Sequence, residues 1–415
     1  MKARTLKDVV VQKSKHKSGR IIILSGARQT GKTTLARLSF PEYKYLSIED
    51  PITREPFTRL SADQWAIQYP KAILDEVQKE PVLIESIKSV YDQFETPKYI
   101  LLGSSQFLLL RQVKESLAGR CTIYDLMPLT LPEIMTNEWD TSVQESMFRK
   151  LISGESLTEL LPSFLLYPTH AAAIQAFSHY LNFGGYPAVA DESLSDDDRR
   201  EWLYNYIRTY LERDIRDLAD FRSLDPFVKT QKTTALLTGS LVNFSQLARE
   251  ADIAANTARR FLNYLELSYQ VILLQPWAKN NLKRLTKTPK LHYLDPGIQR
   301  GILRKQGELT GNEFESAVIA EIYKQTRFPG FTGNLYHFKT ADGREIDLLI
   351  ELENGYIGVE IKMAQRVRSE DARHLNGLET LLDKPLIHSF VLSNDMDVKM
   401  LSKSITAMPA VMFLT

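Results

Sequence analysis

Apolar residues gather in short, nearly unbroken runs over the first third of the chain. Residues 21–24 (Ile-Ile-Ile-Leu), 72–74 (Ala-Ile-Leu) and 99–102 (Tyr-Ile-Leu-Leu) have the form of strands buried on both faces. Residues 121–126 read as a further strand, and residues 33–38 and 107–117 as helices. Strands alternating with helices predict a parallel sheet covered on both sides.

From Pro128 onward the pattern turns helical. Trp202, Tyr206, Ile207, Tyr210, Leu211 and Ile215 recur at helical spacing within residues 201–218, and read as core positions. The run Asp196-Asp197-Asp198 reads as a solvated helix start. Residues 245–251 form a short amphipathic helix with Leu247 and Ala248 inward. A second helix runs to about residue 267 with Ala258, Phe261, Leu262 and Leu265 inward, and Asn256-Thr257 is the expected cap. A strand at 271–274, a basic turn at 279–284 and a return strand at 290–294 follow. Two helices and then a β-ribbon make a winged helix-turn-helix plan. Its second helix would present Asn256, Arg259 and Arg260 to a major groove, and its wing would track phosphates.

The last third carries two alternating runs, residues 344–351 and 356–362, around Asn354-Gly355. Asn-Gly in that position specifies a two-residue hairpin. Glu353 is then expected to pair with Tyr356, and Asp347 to lie across from Lys362. Asp347, Glu360 and Lys362 would share one face, opposite Ile346, Leu348, Ile350, Ile357, Val359 and Ile361.

Composition narrows the setting. The chain has 415 residues, enough for two to four domains, with 43% hydrophobic and 25% charged residues. Cys121 is the one cysteine, so no intrachain disulfide forms, which fits a reducing cytoplasm. No apolar run approaches a membrane span, and Val9-Val10-Val11 is too short for a signal peptide. A net charge of +1 gives no global pull toward nucleic acid. Locally, no acid lies between Glu266 and Asp295, while Lys279, Lys283, Arg284, Lys287 and Lys290 do; Lys13, Lys15, Lys17 and Arg20 form a second basic stretch. Either stretch alone also reads as solvated surface.

The chemistry begins at Gly26-Ala27-Arg28-Gln29-Thr30-Gly31-Lys32-Thr33-Thr34, which leaves the first strand and opens a helix. Glycines at this spacing let backbone N–H groups curl around phosphate oxygens at a helix N-terminus. Lys32 would reach the β- and γ-phosphates of ATP, and the Thr33 hydroxyl would bind Mg²⁺. Asp75-Glu76 ends the second strand. Asp75 would bind Mg²⁺ through water and Glu76 would polarise the attacking water. Ser104, in Ser104-Ser105-Gln106 after the third strand, would sense the γ-phosphate. Arg120, before the fourth, is placed to reach a neighbour's nucleotide as an arginine finger. Arg213-Asp214 reads equally as a nucleotide-sensing pair or a helix ion pair. In the C-terminal hairpin, carboxylates held close together repel unless they share a metal. Asp347 and Glu360 suit Mg²⁺, with Lys362 to orient a water and Glu315 as a fourth group. A solvated hairpin face shows the same alternation.

These residues resemble a family. Residues 26–33, Leu74-Asp75-Glu76, Leu102-Gly103-Ser104, Gly119-Arg120, Phe183-Gly184-Gly185-Tyr186-Pro187, Tyr293-Leu294-Asp295, residues 311–315 and residues 345–362 are similar to those of bacterial and archaeal AAA+-type ATPases of the AAA_14/DUF4143 kind. The resemblance implies a P-loop AAA+ core over residues 1–135, a helical lid over 136–225, a winged helix-turn-helix over 226–305 and a PD-(D/E)XK nuclease-like α/β domain over 306–415. It matches Asp347 to the first nuclease carboxylate, Glu360-Ile361-Lys362 to the (D/E)-x-K element and Glu315 to the helix glutamate, with a second Mg²⁺ or Mn²⁺ there. It also implies a homo-oligomeric ring, such as a hexamer. The resulting expectation is an ATPase acting on DNA, with branched DNA such as a Holliday junction as the expected substrate. The Lys283, Arg284 and Lys287 wing would supply phosphate contacts beside Asn256, Arg259 and Arg260. The alternatives are an ATP-gated, metal-dependent DNA endonuclease and a nucleotide-controlled signalling switch that binds protein.

Overall fold

The apolar runs of the first third pair side by side. In the computed structural model, which describes residues 1–103, 115–161, 169–211, 223–280, 282, 284, 287–340 and 342–415, they are β1 (Ile21–Ser25), β2 (Lys44–Ser47), β3 (Lys71–Asp75), β4 (Lys98–Leu102) and β5 (Thr122–Asp125). They form one parallel sheet in the order β2-β3-β4-β1-β5. Alternate side chains go to opposite faces. Ile22, Leu24, Ile73 and Ile100 pack with helices Leu6–Ser14 and Lys32–Ser39, whereas Ile21, Ile23, Leu74 and Leu101 pack with helices Ala62–Gln68 and Pro81–Gln93. Parallel pairing puts the loops after β1 and β3 at the same carboxyl edge. Ser104-Ser105-Gln106, the body of the 107–117 helix, Arg213-Asp214, Arg216 and Lys283 lie outside the described residues.

The remaining strands are β6 (Ser240–Leu241), β7 (Val271–Pro276), β8 (Lys290–Tyr293), β9 (Asn334–Lys339), β10 (Glu345–Glu351), β11 (Tyr356–Lys362), β12 (Leu386–Ser393), β13 (Lys399–Ser402) and β14 (Ile405–Pro409). They make a mixed nine-stranded sheet in the order β13-β14-β12-β11-β10-β9-β7-β8-β6. The parallel pairing of β7 with β9, Gln275 to Tyr336 and Pro276 to His337, merges the strands flanking the helix pair with those of the C-terminal third. Helix Gly311–Thr326 lies against β8 and β11. Ser195 opens helix Asp196–Tyr206 with a capping box that includes Asp198, as the acidic run predicts.

Two local expectations are corrected. The β10–β11 register pairs Glu351 with Tyr356 and Ile350 with Ile357, so Asp347 comes opposite Glu360 rather than Lys362. The turn is Glu353-Asn354, closed by Leu352 N–H donating to Gly355 O at 2.8 Å. Gly355 is needed for closeness instead of a left-handed φ: a Cβ there would lie 2.4 Å from Pro385 O. Second, Asn256 does not cap its helix. Asp252 ends helix Phe244–Ala251 at φ 55°, Ala254 is the extended residue before helix Ala255–Leu267, and Asn256 falls in the first turn.

The Gly184-Gly185 and Asp295 signatures meet in a joint. Asp295 accepts from Gly185 N–H at 2.7 Å and from Ile298 N–H at 3.1 Å, where it caps helix Pro296–Leu303. Gly184 sits at φ 78°, ψ −162°, a conformation open essentially only to glycine, and a Cβ would lie 1.9 Å from Asp295 Oδ1.

Candidate functional site

The loop after β1 has the backbone that phosphate binding needs. Gln29 at φ 64° and Gly31 at φ 92° turn successive N–H groups inward ahead of helix Lys32–Ser39. Gly26, at φ 141°, passes so close to β5 that a Cβ would lie 2.3 Å from Leu126 O, while nothing crowds Gly31. Lys32 Nζ donates to Gly26 O at 2.8 Å and Ala27 O at 2.7 Å, folded over the loop that triphosphate oxygens would enter. Thr33 Oγ1 donates to Asp75 Oδ2 at 2.7 Å, and Tyr45 OH donates to the same oxygen at 2.8 Å. A hydroxyl and a carboxylate converging beside a phosphate cradle fit Mg²⁺, a hard cation that takes oxygen ligands. Glu76 follows in the left-handed region at φ 59°, and Gln78 Nε2 donates to Glu76 Oε2 at 2.5 Å. Strain of this kind at a named polar residue supports a catalytic placement.

A cavity of about 660 Å³ opens beside the loop, bordered by Arg4, Thr30, Gly31, Thr34, Trp139 and Pro187. Its size suits a nucleoside. Arg120 lies before edge strand β5 and is ion-paired with Asp92, Nε to Oδ1 at 2.7 Å and Nη2 to Oδ2 at 3.2 Å. It is remote from this chain's own phosphate loop, because that loop is at the opposite end of the parallel strands.

Three contacts to the phosphate loop and its strand were not signalled by any motif. Arg4 Nη1 donates to Thr30 O at 2.9 Å, and Tyr206 OH donates to Arg28 O at 3.2 Å. Tyr269 OH donates to Asp125 Oδ1 at 2.9 Å and shares a 3.0 Å hydrogen bond with Ser25 Oγ. Tyr269 is buried at φ 59°, between helix Ala255–Leu267 and β7. Burial and then the Asp125 carboxylate keep its phenol protonated. Ala27 packs in the same core as Phe227, Phe261 and Leu265.

The C-terminal carboxylates do come together. Asp347 and Glu360 are adjacent on β10 and β11, and Ile361 N–H donates to Asp347 Oδ2 at 2.8 Å. Lys362 Nζ is 3.8 Å from Glu360 Oε1, and His374 Nδ1 is 3.5 Å from it. This is no solvated hairpin face: Asp347 and Glu360 are 7% and 2% exposed. Burial, with Asp347 adding, raises Glu360 to about 9.

Sequence reasoning missed the group at the centre. Lys290 of β8 is buried, with Nζ at 2.7 Å from Glu315 Oε1, 3.2 Å from Glu345 Oε1 and 3.5 Å from Asp347 Oδ1. Burial alone would lower Lys290, but Glu315 and Asp347 outweigh it and hold the ammonium charged. Burial and Asp347 raise Glu315 to about 8, against the pull of Lys290. His292 lies 3.9 Å from Glu315 and is kept neutral by burial and then by Lys290. Among the described residues, no group of three or more His, Cys, Asp or Glu side chains is arranged to hold a metal ion. The second Mg²⁺ or Mn²⁺ fits poorly among Glu315, Glu345 and Asp347, because the Lys290 ammonium already lies within 3.5 Å of all three.

The nucleic-acid candidates divide. Asn256, Arg259 and Arg260 are exposed on helix Ala255–Leu267, with Arg259 over the Phe244 ring at 4.7 Å. Lys287 is exposed. Arg284 is instead packed over Trp277 and Tyr336, with ion pairs of 3.6 Å to Glu351 and Asp383. No helix among the described residues is long and apolar enough to cross a membrane.

One family model covers the candidate nucleotide site. Residues 18–135 match the family described as an AAA domain (AAA_14), residues 174–308 a domain of unknown function (DUF8612), and residues 310–413 a domain of unknown function (DUF4143). The uncharacterized protein Rv2008c of Mycobacterium tuberculosis is 28% identical over 355 residues, covering 82% of this chain and 70% of its own. The uncharacterized protein MJ1544 of Methanocaldococcus jannaschii is 22% identical over 357 residues, 81% of this chain and 73% of its own. Among solved structures, a Walker-type ATPase of Pyrococcus abyssi aligns with a TM-score of 0.43 at 17% identity, covering 72% of this chain and 95% of that one. The ORC2 protein of Aeropyrum pernix aligns with a TM-score of 0.40 at 12% identity, covering 78% and 96%.

Proposed function

Because the chain is a P-loop ATPase of the AAA type, joining an AAA_14 domain to DUF8612 and DUF4143 domains, we propose that it hydrolyses ATP to move or remodel DNA. Branched DNA such as a Holliday junction is the favoured substrate class. The observation that carries hydrolysis is the 2.7 Å hydrogen bond from Thr33 to Asp75, which brings the two nucleotide motifs to one point. Lys32 swings from the Gly26 and Ala27 carbonyls to the β- and γ-phosphates. Thr33 and Asp75 would hold Mg²⁺, which would supply neutralising charge on the phosphate oxygens. Glu76 orients the attacking water. Arg120 leaves Asp92 to stabilise the transferring phosphoryl group of a neighbouring subunit in a ring.

The link to DNA rests on the element order of residues 225–293: helix, strand, two helices, then two strands. That order supports a winged helix whose second helix presents Asn256, Arg259 and Arg260. Tyr269 ties the end of that helix to Ser25, the residue before the phosphate loop. A shift in the loop between ATP and ADP is thereby passed to the DNA-holding unit. The DUF4143 domain supports a PD-(D/E)XK-like fold by the clustering of Glu315, Asp347, Glu360 and Lys362.

A DNA-binding titration at several salt concentrations tests the partner. Phosphate contacts give a steep slope, and Arg259→Ala with Arg260→Ala lowers it by roughly two. Weak binding with a flat slope contradicts the DNA assignment and favours the protein-binding switch.

A further inference from the structure

We propose that the ammonium of Lys290 is the permanent cation of the C-terminal carboxylate site, so that this site takes no divalent metal and cuts no DNA. The nuclease resemblance leads to the opposite expectation.

The argument is geometric. Lys290 Nζ lies within 3.5 Å of Glu315, Glu345 and Asp347, which come from helix Gly311–Thr326 and from β10. A magnesium ion binds oxygen at about 2.0–2.1 Å and keeps several waters. It would have to share Glu315, Glu345 and Asp347 with a positive charge already within 3.5 Å of their oxygens. Two cations so close, away from bulk water, repel strongly. The Lys290 side chain is buried, and the backbone that carries it is fixed. Its strand is held on both edges, with Lys290 opposite Leu274 of β7 and Leu241 of β6. The oxygen that faces away from Lys290 is used as well: Asp347 Oδ2 accepts from Ile361 N–H. The first nuclease carboxylate therefore has both oxygens engaged by the chain itself.

The arrangement has a positive role. Lys290 belongs to the strand pair that follows the two helices, whereas its partners belong to the C-terminal third. The ion cluster fastens one half of the nine-stranded sheet to the other, where β7 and β9 share only a two-residue pairing. The cluster is a charged fastener between the helix-bearing unit and the C-terminal domain.

Manganese binding, read by electron paramagnetic resonance without nucleotide, tests this in an Asp75→Asn background that removes the ATP-site ligand. With Lys290 intact, no bound Mn²⁺ is expected at millimolar metal. Lys290→Gln in the same background is expected to gain one Mn²⁺ per chain, and Asp347→Asn to remove it again. One Mn²⁺ bound to the Lys290-intact chain and lost on Asp347→Asn overturns the proposal, as does a folded Lys290→Gln chain that gains none. The wild-type chain with Mg²⁺ or Mn²⁺ is expected to leave supercoiled plasmid intact; nicking abolished by Asp347→Asn overturns the proposal whether or not the Lys290 variant folds. ATP hydrolysis is read separately, so failure here leaves the ATPase assignment standing.

Discussion

Removing one hydroxyl, by Tyr269→Phe, tests how tightly the phosphate-loop strand is tied to the helix pair Phe244–Ala251 and Ala255–Leu267. The ring and its packing remain, but the 2.9 Å bond to Asp125 and the 3.0 Å bond to Ser25 are lost. A hydrogen bond to a charged group contributes about 1.5–3 kcal/mol, and the Tyr269 hydroxyl is buried, so water replaces it poorly. With a loss of about 2 kcal/mol, a cooperative unit of about 200 residues melts about 4–8 °C lower. Differential scanning calorimetry with and without ATP is the assay. Tyr269→Phe is expected to lower Tm and to uncouple hydrolysis from DNA, leaving basal turnover near wild type while DNA stimulation falls. An unchanged Tm with full DNA stimulation would refute the reasoning, because Tyr269 would then be neither a support nor a link.

Three further outcomes are expected. Lys324→Met should cost about 3–5 kcal/mol by denaturant titration, since it strands Glu321, whose ion pair with Lys324 at 2.7 Å is wholly buried; adding Glu321→Gln should recover part of that loss. Gly184→Ala should cost at least about 1–3 kcal/mol from backbone conformation alone, with the clash against Asp295 added, and should appear as lost soluble yield or a lower Tm. Stability should fall as pH rises from about 5 toward 9, because Glu360, raised to about 9 by burial and then by Asp347, holds a proton in the folded chain that the unfolded chain releases near its ordinary carboxylate pKa; Glu360→Gln should flatten that slope in urea titrations across pH.

Much of the geometry of the candidate nucleotide site was legible because its determinants are local. The loop at residues 26–33 is contiguous, and Asp75 is brought to Thr33 by parallel pairing that continuous apolar runs already imply. The helix pair was legible from its inward residues, although Asn256 turned out to lie inside the first turn instead of capping it. Asn354-Gly355 marked the hairpin but misled on register, because Gly355 answers to the neighbouring Pro385 carbonyl, a contact from distant sequence. Lys290 and Arg284 were misread for the same reason. Both sit in a basic stretch without acids, and their partners, Glu315, Asp347, Glu351 and Asp383, come from residues that only tertiary folding brings near. Tyr269 carried no signal beyond being aromatic after a helix, and its role depends on Ser25 and Asp125 across the fold.

The most direct measurement is the steady-state rate of ATP hydrolysis by the full chain with and without four-way, duplex and single-stranded DNA, beside Lys32→Ala and Glu76→Gln controls. Magnesium-dependent turnover that rises with one of these DNAs is expected, falling roughly 10²–10⁴-fold in Glu76→Gln while ATP still binds. Turnover that no DNA changes would contradict coupling to DNA. A wild-type rate no greater than that of either control would contradict the account at its root.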